Sequence, residues 1–193
     1  VEGPQCHLKA RQLASARVVG QRVTRIQAGD AGLAARLTAA GPILRIAVVG
    51  KECFCVFADC ALRLHYGMSG SQIVRSGSQQ PLPRGSRKTL TLTLELEQCA
   101  VDLYDCGTPS VRTLGYLATV EARKGRDVIA KEFDRRAVMD LLRTDTRPAF
   151  DALMDQASFP GVGNVIKCEG LHEAGVSPTI VLSELPDARL GLL

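Results

Sequence analysis

The stretch TLTLTLELEQ, residues 89–98, leaves the backbone little choice. Its leucines fall on every second residue, which puts them all on one face of a strand and would scatter them around a helix. A strand with one apolar face needs partner strands and a core to cover it. AVDLYDCG (100–107) supplies a second strand, paired through a turn expected near Gln98 to Ala100. Between residues 43 and 75, ILRIAVVG, CFCVFAD, ALRLHYG and SQIVRS alternate or run apolar, with Gly and Asp between them. GSQQPLPRGSRK (77–88) reads as an exposed loop. About the first 110 residues are therefore mostly β, with one amphipathic helix expected near residues 4–17.

After Gly115 the period changes. FDRRAVMDLLRTD (133–145) carries Val138, Leu141 and Leu142 at helical spacing. RPAFDALMDQ (147–156) predicts a second helix, with Pro148 in its first turn and Phe150, Leu153 and Met154 on one face. NVIKCEGLHEAG (164–175) predicts a third, ended by Gly175 with Pro178 blocking continuation. SELPDARLGLL (183–193) predicts a fourth, capped by Ser183, with the chain stopping inside it as a truncated piece. The expected organisation is α+β: a β domain over 1–115, a linker over 116–132 and an incomplete helical domain over 133–193.

Composition removes several classes. Hydrophobic residues at 46% and charged residues at 23% are globular values. No Trp and only 4% aromatics argue against extensive stacking platforms, and a net charge of +4 is compatible with an anionic partner without requiring one. The seven cysteines, at 6, 53, 55, 60, 99, 106 and 168, form no CxxC pair. That argues against a zinc site or a disulfide framework and for reduced thiols in a cytosolic or nuclear setting. No apolar run approaches the roughly 18 residues of a membrane span, and the first residues lack a signal-peptide pattern.

Four local patterns carry chemistry. In SFPGVGNVI (158–166), Gly161, Gly163 and Asn164 open a helix, a turn that brings backbone N–H groups close to a phosphate. The same residues also make an ordinary tight helix–turn–helix with Asn164 as N-cap. HYGMSGS (65–71) sets Met68 between two glycines, as a wedge between bases or as a buried gap-filler. VGKEC (49–53) puts Lys51 at the start of a strand, where a solvated lysine is the commoner finding. Cys53 and Cys55 share a strand face and read as core thiols. Arg84, Arg87, Lys88, Arg123, Lys124 and Arg126 lie in expected loops, as solvated faces or along a phosphate backbone.

Their order along the chain says more. VEGP at the start, Lys51, HYGMSGS, DLYDCG, TRPAFDALMDQ and PGVGNVIKCEGLHEAGVSP together resemble the formamidopyrimidine-DNA glycosylase and endonuclease VIII family over nearly all 193 residues. Valine rather than proline at position 1 is similar to the third endonuclease VIII-like branch of vertebrates. The resemblance implies an N-terminal two-layer β-sandwich with a flanking helix, then a helix–two-turn–helix DNA-binding domain. It implies a bifunctional glycosylase and abasic-site lyase, nuclear and monomeric, that removes oxidised bases. Its partner would be damaged DNA, preferably single-stranded or forked and including interstrand cross-links, and no membrane.

The α-amine of Val1 would attack C1′ and form a Schiff base, since an α-amine ionises at about 7.7–8.0 and a useful fraction is neutral near pH 7. Glu2 would open the sugar ring as general acid–base, and Lys51 would contact phosphate and assist proton transfer. Asn164, with Gly161, Gly163 and Lys167 around it, would clamp the phosphate, and Met68 would fill the gap left by the flipped base. No cofactor is implied for residues 1–193; a zinc finger or its zincless mimic would lie beyond Leu193. Residues 105–116 offer Arg112 as a void-filler but no apolar wedge, which favours single strands. A primary, β-branched amine should make lyase lag base release. A catalytically weak DNA-binding module of the same fold is the alternative; an unrelated small-molecule enzyme has no supporting motif.

Overall fold

A computed structural model describes residues 1–27, 31–76 and 87–193. Residues 77–86 of the expected loop, with Arg84, lie outside the described residues. In chain order the elements are α1 (Gly3–Ser15), β1 (Val23–Gln27), α2 (Ala31–Ala39), β2 (Arg45–Val49), β3 (Glu52–Val56), β4 (Ala61–Leu64), β5 (Ser71–Ser76), β6 (Leu90–Leu96), β7 (Cys99–Tyr104) and β8 (Ser110–Arg112). There follow α3 (Leu114–Glu121), α4 (Arg135–Thr144), α5 (Ala149–Ala152), α6 (Asn164–Glu173) and α7 (Asp187–Leu190), with 3₁₀ turns at Lys124–Arg126 and Leu182–Glu184.

The strands make two four-stranded antiparallel sheets, ordered β1-β6-β7-β5 and β2-β3-β4-β8. The alternating leucines do what their period requires: Leu92, Leu94 and Leu96 enter a core shared with Val101 and Leu103 of β7, Cys53 and Cys55 of β3, and Leu62 and Leu64 of β4. One edge of α1 closes this core with Cys6, Ala10 and Leu13. The apolar run at 53–57 has a separate cause. Phe54 and Val56 face the other way, into a smaller cluster covered by Leu117 and Val120 of α3, so this sheet is buried on both faces. All seven cysteines are unbridged.

The β6–β7 turn is Glu97–Gln98, one residue earlier than expected, because Cys99 and Ala100 already belong to β7. The position taken as a domain edge, 115, lies inside α3, and the stretch 116–132 also holds a 3₁₀ turn at its basic residues.

The helical part departs most from its sequence pattern. The helix expected over 147–156 is a single turn, Ala149–Ala152. On its N-terminal side the backbone pairs with a distant strand-like segment: Ala149 N donates to Ile180 O (2.8 Å) and Phe150 N to Pro178 O (2.9 Å). On its C-terminal side the Asp155 carboxylate accepts from Ala157 N and the Ser158 hydroxyl, both at 2.9 Å, and turns the chain away. The helix expected from Ser183 to the end is a 3₁₀ turn, then Pro186, then α7. Leu185, preceding proline, is extended (ψ 137°), which breaks the helix there. Leu142, Ala149, Leu153, Phe159, Leu171 and Leu182 bury a separate core beneath these short elements. Among the described residues no helix is long and apolar enough to cross a membrane.

Candidate active site

The site is assembled where three stretches of main chain meet. Gly3 at the start of α1, Gly50 in the β2–β3 turn and Gly161 in the loop before α6 stack backbone on backbone. Gly3 N donates to Gly161 O at 2.9 Å. A methyl group on Gly50 would collide with Gly161 N and with Pro160, and Gly50 (φ +56°) and Gly161 (φ +95°) both sit in the left-handed region. Only residues without a side chain allow this approach.

The junction fixes the first two residues. Gln5 in the first turn of α1 accepts from Glu2 N (2.7 Å). The Val1 ammonium donates to the carbonyls of Gly67 (2.7 Å) and Met68 (3.1 Å) in the β4–β5 turn. The Glu2 carboxylate leaves α1 and reaches the N-terminus of α6, where it accepts from Val165 N (2.8 Å) and Ile166 N (3.2 Å). There it satisfies two orphan donors and lies at the positive end of the helix dipole. Gly163 leaves it room, because a Cβ there would meet the Glu2 carboxylate and push it aside. Gly163, not Asn164, is the N-cap of α6, and Asn164 is its first helical residue.

Val1, Glu2, Lys51, Met68, Gly163 and Asn164 line one open cavity of about 750 Å³. Lys51 is the second residue of the Gly50–Lys51 turn rather than the first of a strand. Burial holds its ammonium below the usual lysine range, and the Glu2 carboxylate and Cys6 act against that. Met68 is 96% exposed, so it is not a buried side chain filling the core. Lys167 lies outside the lining and donates to Asn164 Oδ1 (2.9 Å). Gly161 lies behind the cavity in the glycine junction. Arg112 is also outside it: it ends β8 with its guanidinium 5.2 Å above the Tyr116 ring.

Three residues that pattern reading passed over belong to this region. His65 lines the cavity, its Nδ1 is buried without a partner, and burial and Arg63 hold its imidazole below the usual range. It stands in the same HYGMSGS stretch that drew notice for Met68. Asp127 is wholly buried behind the junction and is bonded to His7 Nε2 (2.8 Å). Its only sequence signal is a lone carboxylate at the end of ARKGRD.

No protein-family model matches the chain. Endonuclease 8-like 3 of Mus musculus is 29% identical across 98% of the chain, and that of Xenopus laevis 30% across 77%. The chain spans about a third of the mouse protein's length, 36%. Formamidopyrimidine-DNA glycosylase of Mycolicibacterium gilvum is 28% identical across 99% of the chain and 69% of its own length. A crystal structure of Lactococcus lactis Fpg in complex with DNA containing N7-benzyl-Fapy-dG shares the fold, with a TM-score of 0.81 over 100% of this chain and 74% of that one, at 23% identity. With matches to both branches running the length of the sequence, and with the same sandwich-and-helices fold, the chain belongs to the formamidopyrimidine-DNA glycosylase and endonuclease VIII family, close to the Endonuclease 8-like 3 proteins.

Proposed function

We propose that the chain is the catalytic part of a nuclear, monomeric DNA repair glycosylase that excises oxidised bases, hydantoins and formamidopyrimidines among them, through a Schiff base on Val1. The observation that carries this reading is the gathering of an α-amine, a carboxylate and a partly buried lysine in one cavity, with an exposed apolar wedge on its rim. The amine, freed of a proton and turned from the Gly67 and Met68 carbonyls, attacks C1′ and displaces the base. Glu2 takes one proton from the attached amine and delivers it to O4′ as the ring opens, and the amine's second proton neutralises the departed base, which leaves an imine between Val1 and C1′. Lys51 and the Asn164 amide hold the flanking phosphates. Elimination of the 3′ phosphate follows slowly, since a primary-amine imine must gain a proton before it draws electrons as strongly as the iminium of a secondary amine. Hydrolysis of the imine outpaces that elimination and releases mostly intact abasic strands.

Single-stranded or forked DNA is the preferred substrate, and cross-links at forks fall within reach. Met68 alone projects as an apolar residue from the β4–β5 turn, while Arg112, expected as a second filler, is stacked on Tyr116 outside the cavity. A site that fills a duplex gap poorly is least penalised where no partner base is orphaned.

The test is borohydride trapping on a single-stranded oligonucleotide carrying a hydantoin, comparing chains that begin at Val1 with chains extended by one residue. Trapping should vanish on extension while DNA affinity stays within about threefold. Undiminished trapping by the extended chain would move the nucleophile to a lysine such as Lys51. Trapping by neither form would leave a DNA-binding module of the same fold.

A further inference from the structure

Asp127 is the most conspicuous charge that the proposed chemistry does not use. It is 0% exposed, in a stretch whose neighbours Arg126 and Val128 are half-buried and exposed. A buried carboxylate is costly unless its oxygens are satisfied, and here they are. Oδ2 accepts from His7 Nε2 at 2.8 Å and from Gly50 N at 2.7 Å, and Oδ1 accepts from Ile129 N at 3.1 Å. Burial alone would raise this carboxyl; the His7 ring and the two backbone N–H groups outweigh it and hold it below the usual range.

The partners matter more than the number of bonds. Gly50 is bonded covalently to Lys51. His7 is in the second turn of α1, about 6 Å along the helix from the end that bears Val1 and Glu2. Gly161, the third member of the glycine junction, packs against the same carboxylate from the loop that leads into α6. One side chain thus fixes the helix carrying the amine and the turn carrying the lysine. It lines no part of the 750 Å³ cavity and cannot touch a substrate there.

We propose that Asp127, paired with His7, is the positioning residue that sets the Val1 amine and Lys51 at their working separation, so that base release depends on the pair while DNA binding does not. The inference rests on the glycosylase reading above. Positioning errors of about 1 Å are enough to cost 10²-fold in rate.

The experiment measures single-turnover base release, normalised to the borohydride-trappable fraction, and affinity for a single strand carrying a non-cleavable abasic analogue. Asp127→Asn, His7→Leu, His7→Gln and the Asp127→Asn/His7→Leu double variant are compared with wild type. His7→Leu should slow release about tenfold with affinity within twofold. His7→Gln, whose amide can still donate to the carboxylate, should recover most of the rate. The double variant should be no slower than Asp127→Asn alone, since the two act as one unit. Melting temperatures that fall while the normalised rate holds would make the pair a purely structural contact and overturn the inference. Rate and affinity falling together would overturn it too. Should Asp127→Asn fail to fold, the two His7 variants still decide. An inactive wild type overturns the reading of the site and this inference with it; an active wild type with unaffected variants overturns the inference alone.

Discussion

The two walls of the cavity are built by different means. The sandwich wall rests on interdigitated side chains: its strands bury every second residue in one core, and its turns carry Lys51 and Met68 outward from that scaffold. The helical wall rests on main chain. Its loop touches the sandwich through glycines, its helix offers backbone N–H groups to Glu2, and its shortened elements are tied by main-chain bonds between residues 145–150 and 178–183. The sandwich therefore supplies charge, and the helical part supplies shape and dipole. The same substitution should have different consequences in each.

The largest effect is expected at the seam. Gly50→Val places a branched side chain into Pro160 and Gly161 at φ +56°. Overpacking and left-handed strain together should cost about 3–5 kcal/mol, measured by urea unfolding. Gly20→Ala, with φ +90° but nothing within 4 Å, isolates the backbone part and should cost only about 1–2 kcal/mol. Equal losses at the two glycines would mean that the backbone contact is not what joins the walls.

Next come the cores. Leu62→Ala, at 0% exposure between two sheets, should cost near the top of the range of about 2–5 kcal/mol for such truncations. Leu171→Ala, beneath short helices that can settle into the space, should fall near the bottom. Reversed values would show the helical part to be the more rigidly packed of the two.

Gly163→Ala and Glu2→Gln separate shape from charge at one carboxylate. The alanine displaces the Glu2 side chain from the α6 N-terminus; stability should fall by about 1–2 kcal/mol, a lost cap, and base release by about 10²-fold. Glu2→Gln keeps an acceptor for the helix, so stability should change by less than about 1 kcal/mol while base release falls as far. A Gln variant as unstable as the Ala variant would show that the charge, not the fit, holds the helix.

The smallest effect on folding belongs to Met68. Met68→Ser removes a side chain that is 96% exposed and should leave stability within about 0.5 kcal/mol. Its effect should appear in binding, weakening affinity for duplex abasic-analogue DNA more than for the single strand. Equal weakening of both would detach Met68 from gap-filling.

The β half was legible because burial and period coincide: one look at 89–98 orients a whole sheet. Strands β1 and β8 and helix α2 escaped, since VTRIQ and SVR are too short and mixed for either period to stand out. The helical half misled at residues 147–156 and 183–193. Helical spacing is present there, but Asp155, Pro186 and the distant backbone around Ile180 claim the hydrogen bonds that longer helices would need. Within the site, motif order brought forward Val1, Glu2, Lys51, Met68 and Asn164, which the fold gathers round one cavity. His7 and Asp127 carry no local pattern at all; their meaning lies in a contact across 120 residues, which no window of sequence contains.

The carboxylate of Glu2 bonds a backbone group 163 residues further along the chain. During synthesis at about 5–20 residues per second, that partner emerges roughly 8–30 s after the residue waiting for it. Through that interval the sandwich strands can pair and hold the amine at the Gly67 and Met68 carbonyls, while the Glu2 carboxylate still lacks the helix N-terminus that receives it. A polypeptide interrupted between Met68 and residue 165 therefore carries the amine, the carboxylate and the lysine without the helix end that completes their site.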